Sequence, residues 1–262
     1  MRITNIRSQT SIALRWCVDR LGLRWQPSRD TWVAFVSYGL VVAGLVIAFQ
    51  VFTTEHVAAN FIAFGPVTLA GLGIALPVFY TVLIRHRPLA DVGLTRRRLA
   101  ISLALGLLLG LDTYRNTLGT LDVVWTSAVV PLATMAVTVG LFEAIFFRGW
   151  LQLRFERAFG LLPSLILGAL CYGLYHVGYG MTLDEMGFLF SLGLAYAAVF
   201  RLTRNVFVLW PFYTPVGGLY TNLSDGLTLP FEAACGFVLT LGLMVAAIVI
   251  AVRQQRDQAF RE

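Results

Sequence analysis

The chain has 262 residues, of which 58% are hydrophobic and only 13% charged, and its formal net charge is +6. A water-soluble domain has about 25% charged residues and about 45–50% apolar ones, so this composition excludes a cytosolic, disordered or fibrous chain and leaves an integral membrane protein. Every basic residue is Arg, set in short clusters between apolar runs; that placement suits lipid headgroups and membrane orientation, and no nucleic-acid partner is expected.

Residues 1–30 carry Arg2, Arg7, Arg15, Arg20, Arg24 and Arg29 throughout, without the apolar stretch of a signal peptide. The segment is expected to be retained as a cytoplasmic basic amphipathic arm. Ile12, Trp16, Leu21, Leu23 and Trp25 would then lie against anionic lipid; a solvated basic tail is the alternative. From 31 to 252 the sequence reads as one transmembrane helical domain, followed by a cytoplasmic tail, 253–262. Runs near the ~20 residues that cross a hydrocarbon core fall at 31–52, 60–84, 99–116, 123–143, 161–178, 186–202, 205–222 and 231–252. The fold class is therefore all-α, a polytopic membrane protein of about eight helices. Pro66, Pro77, Pro131, Pro211 and Pro215 lie inside these runs, and Trp210-Pro-Phe-Tyr-Thr-Pro215 predicts a kinked seventh span.

Loop charge alternates. Arg85, Arg87 and Arg96 to Arg98 follow the second run, Arg154 and Arg157 the fourth, Arg201 and Arg204 the sixth, and Arg253 and Arg256 the eighth. The loops between carry Glu55, Asp112, Asp122, Asp184, Glu185 and Asp225. Positive loops stay inside, so both termini are expected in the cytoplasm of a cell with a bacterial-type plasma membrane. Only Arg115 and Arg148 fall elsewhere. Cys17, Cys171 and Cys235 are too scattered for a disulfide framework or a Cys-ligated zinc site. His56 and His86 fall in loops.

An ionisable side chain at membrane depth costs about 2.5 kcal/mol or more on insertion scales and is read as functional, with a named partner. Glu143, Arg148 and His176 qualify. The helix carrying Glu143 runs on to Phe159-Gly-Leu-Leu-Pro163, whose Gly and Pro mark a helix end and a new start. The midpoint between 143 and 176 falls on that turn. In an antiparallel hairpin the two side chains then sit at equal depth, about 24 Å from the turn at 1.5 Å per residue. A carboxylate and an imidazole in a partly dry pocket can activate water, the carboxylate as base and the imidazole as orienter or metal ligand; a buried structural hydrogen bond is the bland alternative. Arg148, five positions beyond Glu143, lies about 140° round an ideal α-helix and is expected off the Glu143 face, as a snorkelling or supporting side chain.

Glu143-x-x-x-x-Arg148-Gly149, followed by Tyr172-x-x-x-His176, resembles the motifs of the CPBP intramembrane proteases, the CAAX protease and bacteriocin-processing or Abi family. Those motifs read Glu-Glu-x-x-x-Arg-Gly and Phe-x-x-x-His on successive helices. Leu89-Ala-Asp-Val-Gly-Leu94 is similar to an upstream feature of the same family. The resemblance covers about 85–222 and implies an intramembrane endopeptidase in which Glu143 and His176 activate water, with or without a divalent metal such as zinc. The implied substrate is a membrane-associated peptide or protein, with or without a lipid anchor. There are departures. Ala144 replaces the second Glu, and the third motif, His-x-x-x-Asn, finds Gly218 at the His position with Asn222 retained. Tyr213, Thr214 and Arg148 are further polar groups that could support an oxyanion. A tight zinc site needs three protein ligands, and only Glu143 and His176 are offered. Either the pair works with substitute donors, or the chain is a catalytically impaired scaffold that binds substrates or partners. A small-molecule transporter would show paired broken helices in two similar halves, which the sequence lacks.

Overall fold

The computed structural model describes residues 22–52, 56–121 and 126–259; most of the expected N-terminal arm lies outside the described residues. The helices are α1 (Arg29–Val51), α2 (Val57–Ile84), α3 (Leu99–Asn116), α4 (Val129–Phe159), α5 (Leu161–Tyr179), α6 (Leu183–Thr203), α7 (Tyr213–Ser224) and α8 (Ala233–Ala259). Short 3₁₀ turns lie at Leu89–Val92, Leu118–Thr120 and Val206–Val208. The protein is an all-α polytopic membrane protein.

Six helices, α1, α2, α4, α5, α6 and α8, are long and apolar enough to cross a membrane. The other two expected spans differ for separate reasons. At 18 residues α3 is about 27 Å long, but its polar last turns, Asp112 to Asn116, lower its mean hydropathy. The expected span 205–222 is not one helix. Pro211 cannot donate a backbone hydrogen bond, and regular helix begins only at Tyr213.

Irregular backbone at membrane depth survives only where protein satisfies it, and the stretch before α7 is satisfied. The Val206 amide donates to the Gly93 carbonyl at 3.0 Å, Asn205 Nδ2 donates to the carbonyls of Thr95 and Arg97 at 2.9 and 3.1 Å, and Trp210 Nε1 donates to that of Val137 at 2.9 Å. Gly106 and Gly110 let α3 lie directly on the Val208 and Phe212 carbonyls.

The hairpin turn between α4 and α5 is Gly160, at φ 94°. A short strap holds it: the Arg24 and Gln26 amides donate to the carbonyls of Phe159 and Ala158, and the Leu161 amide to that of Gly22. Five of the loop arginines make ion pairs within the protein near this end. Asp30 pairs with Arg85 and Arg87 at 2.9 and 3.0 Å and accepts from the Tyr80 hydroxyl; Asp91 pairs with Arg157 at 2.6 Å; Glu156 pairs with Arg201 and Arg204 at 3.3 and 2.9 Å.

Arg154 is fully buried within this group. It donates to the Asp91 carbonyl and, at 3.0 Å, to the Thr81 hydroxyl, with its guanidinium 4.1 Å from the Trp150 ring. Hydrogen bonds from a charged donor contribute about 1.5–3 kcal/mol, so Arg154→Ala is expected to lower the thermal unfolding midpoint in detergent by several degrees. An unchanged midpoint would show that the anchor contributes nothing.

Candidate active site

Glu143 stands where α4 changes geometry. From Ala144 to Gln152 the helix widens into π-helical turns, and all nine residues are buried. Such turns concentrate at functional sites. Gly149 makes the tight packing here possible, because a Cβ at that position would lie 2.0 Å from the Val92 carbonyl oxygen. The Leu89–Leu94 feature and the Arg148-Gly149 pair noted in the sequence are thus two sides of one contact.

The π turns change the angle between Arg148 and Glu143, although no ion pair forms between them. They bond residue i to i+5, which brings position 148 closer to the face of Glu143 than an α-helix would. Arg148 is 1% exposed, its guanidinium lies 5.2 Å from the Tyr172 ring, and neither Nη1 nor Nη2 has a hydrogen-bond partner.

On the returning helix, the last turn of α5 tightens into 3₁₀ geometry over Tyr175–Tyr179. Gln50 Nε2, from α1, caps it by donating to the carbonyls of Val177 and Gly178 at 2.8 and 3.3 Å. Gly178 lets α1 approach, since a Cβ there would meet that of Leu45. This packing fixes three side chains around Glu143. The Tyr175 hydroxyl donates to one carboxylate oxygen and the Tyr172 hydroxyl to the other, the latter at 3.4 Å. His176 is buried beside them, its ring centroid 4.0 Å from that of Tyr175 and 5.4 Å from that of Tyr172.

His176 Nδ1 lies 2.9 Å from the Tyr172 carbonyl. A carbonyl only accepts, so Nδ1 carries the hydrogen and the Nε2 lone pair of the neutral ring is left available. Glu143 and His176 are not joined directly by an ion pair or hydrogen bond; each leans on the same two tyrosines. Glu143 is of intermediate exposure as a residue, whereas Tyr172 and Tyr175 are buried. The arrangement offers a carboxylate and an acceptor nitrogen bracketed by the same two tyrosines.

The remaining candidates are more dispersed. The Thr214 hydroxyl donates to the Leu209 carbonyl at 3.4 Å and packs against Gly140, one turn before Glu143. Tyr213 packs edge-on against Tyr196, ring centroids 5.1 Å apart. Asn222 lies near the far end of α7 with no side-chain bond to the cluster. Among the described residues no three or more His, Cys, Asp or Glu side chains gather as a metal site. Both Glu143 oxygens are already engaged by phenols, so this donor set does not fit a three-ligand zinc centre. Tyr175 and Tyr196 carried no signal in the sequence analysis; the only available clue was the spacing of Tyr172, Tyr175 and Tyr179 around His176, a stripe of polar tips within an apolar helix.

A multi-helix membrane protein with a carboxylate and an imidazole packed together inside its bundle is the class that the fold and this cluster define. Residues 125–213 match the family model of the type II CAAX prenyl endopeptidases, Rce1-like. The matched segment contains Glu143, Arg148, Gly149 and His176, ends at Tyr213, and agrees with the CPBP/CAAX protease resemblance of the motifs. It supports a CAAX-type intramembrane protease at the level of the family. No curated protein and no solved structure matches the chain.

Proposed function

We propose that the protein is an intramembrane endopeptidase of the CPBP/CAAX type that cleaves a membrane-associated peptide or protein, lipidated or not, with Glu143 and His176 activating water. The observation that carries this reading is the pairing of a half-buried Glu143, bonded by the Tyr172 and Tyr175 hydroxyls, with an adjacent His176 whose Nε2 is free. Two polar ionisable groups at matched depth are a costly way to lock helices that Gly and Ala pack well.

In the reaction, a water enters between Glu143 and His176 Nε2. Nε2 accepts one hydrogen bond and orients the water, while Glu143 removes the other proton as the oxygen adds to the scissile carbonyl carbon. The carbonyl π pair moves onto its oxygen. When the tetrahedral adduct collapses, the C–N bond breaks and Glu143 returns the proton to the departing amine. Tyr172 and Tyr175 hold the carboxylate in one orientation, and Arg148 adds positive charge close by without reaching it.

The alternative is a chain that binds such substrates without cutting them, favoured by Ala144 and by Gly218 in place of a third-motif His. Reconstitution in liposomes with prenylated and unprenylated peptide pools, read by mass spectrometry, separates the two. Cleavage products that persist in the presence of a chelator are expected. Retained peptides without products would establish the scaffold, and products abolished by chelator would establish a metal centre.

The same reading places both termini in the cytoplasm, because the arginine-rich loops then all fall on one side. Reporter fusions at 118 and 182 are expected outside and one at 92 inside. A reversed pattern at any of the three would overturn this orientation.

A further inference from the structure

Tyr196, on α6, is 5% exposed, and its hydroxyl makes no hydrogen bond to any described residue. The hydroxyl is not sealed, unlike the enclosed and unpartnered guanidinium nitrogens of Arg148, so water or a substrate atom can reach it. The ring is packed between two others. It is gripped edge-on by Tyr172, at 5.9 Å and 77°, and by Tyr213, at 5.1 Å and 85°.

What faces the hydroxyl is space left by glycine. A Cβ at Gly217 on α7 would lie 3.2 Å from it, and at the next residue, Gly218, a Cβ would meet only Ala136 of α4, at 3.8 Å. Ala136 precedes Glu143 by seven residues on that helix. Tyr172, whose ring packs against that of Tyr196, donates its own hydroxyl to the Glu143 carboxylate, so Tyr196 stands one ring away from Glu143. A donor without a partner among the described residues therefore faces a glycine-lined gap one ring away from the carboxylate.

Resting on the reading above, we infer that the Tyr196 hydroxyl donates a hydrogen bond to the scissile carbonyl oxygen and holds the negative charge that develops there. The phenol keeps its proton throughout. The π pair pushed onto oxygen by water addition is stabilised by the O–H dipole, and the charge is relieved when the C–N bond breaks and Glu143 protonates the amine. Thr214, whose hydroxyl is spent on the Leu209 carbonyl, and Arg148, sealed behind Tyr172, are less well placed for that oxygen.

The test is Tyr196→Phe, which keeps the ring and removes the donor. Losing one such donor costs about 10²–10³ in kcat, so kcat is expected to fall by that factor with KM and the thermal midpoint little changed. Unchanged kcat, or a loss that follows the midpoint, would overturn the assignment. A second measurement does not depend on turnover. A farnesylated hexapeptide with a phosphinate in place of one amide mimics the tetrahedral oxyanion and should bind wild type at least about 10²-fold more tightly than its amide counterpart. Tyr196→Phe should lose that preference while still binding the amide peptide. Absence of any preference in wild type, or its full retention in Tyr196→Phe, would refute the role of Tyr196. Full cleavage by Glu143→Gln with a Tyr196-dependent preference intact would instead refute the base assignment alone.

Discussion

Glu143→Gln is expected to lower cleavage by at least about 10²-fold, the usual scale for loss of a positioned general base. The amide has the same shape as the carboxylate, and its oxygen can still accept from Tyr175 or Tyr172, so the helix pair should stay closed and the thermal midpoint should hold. The amide cannot take a proton from water. The loss should appear in kcat, since the bulk of the substrate-contacting surface is untouched. Initial rates in proteoliposomes, wild type beside Glu143→Gln at matched protein density, check this. Equal rates would remove Glu143 from the chemistry and return the cluster to a packing role.

Gly149→Ala is the substitution expected to damage the fold most for its size. One methyl group would come within 2.0 Å of the Val92 carbonyl oxygen and 2.7 Å of its carbon. Both are backbone atoms of a turn pinned by its own hydrogen bonds and by the Val206 amide on the Gly93 carbonyl, so neither can swing aside as a side-chain tip would. Overpacking ordinarily costs about 1–3 kcal/mol, and a backbone clash of this kind belongs at or above the top of that range. The midpoint in detergent should fall by many degrees, and activity should fall with it because Arg148 and the π turns move together. Gly242→Ala, on α8, is the control. Nothing lies within 4 Å of its Cβ position, and Ala exceeds Gly in helix propensity by about 1 kcal/mol, so that variant should be as stable as wild type or more so. Wild-type stability of Gly149→Ala would mean that the contact with Val92 does not constrain the protein.

The hairpin that carries Glu143 and His176 was legible because it depends only on counting residues either side of a glycine turn, and the turn is indeed Gly160. The position of Arg148 was not. It depends on π turns, and an apolar run with a conventional helical composition gives no sign that its hydrogen bonds run to i+5. Likewise the seventh run, 205–222, has ample hydrophobicity to read as a span, whereas its break follows from Pro211 together with partners such as Gly93 and Thr95, a hundred residues away in sequence. Tyr175 and Tyr196 escaped for a related reason: a tyrosine in an apolar helix reads as packing until its hydroxyl can be followed to a carboxylate or to a gap. The ionic group at Asp30, Asp91 and Glu156 shows a limit of charge counting, which predicts sidedness and says nothing of which arginines find carboxylates inside the protein.

If Glu143 and His176 act on one water as a unit, a double-mutant cycle will show it. Cleavage rates would be measured in the same liposomes for wild type, Glu143→Gln, His176→Ala and the double variant. Groups acting as a unit are strongly non-additive, so the double variant should be about as slow as the slower single one. Independent losses that multiply in the double variant would show that the two groups act separately.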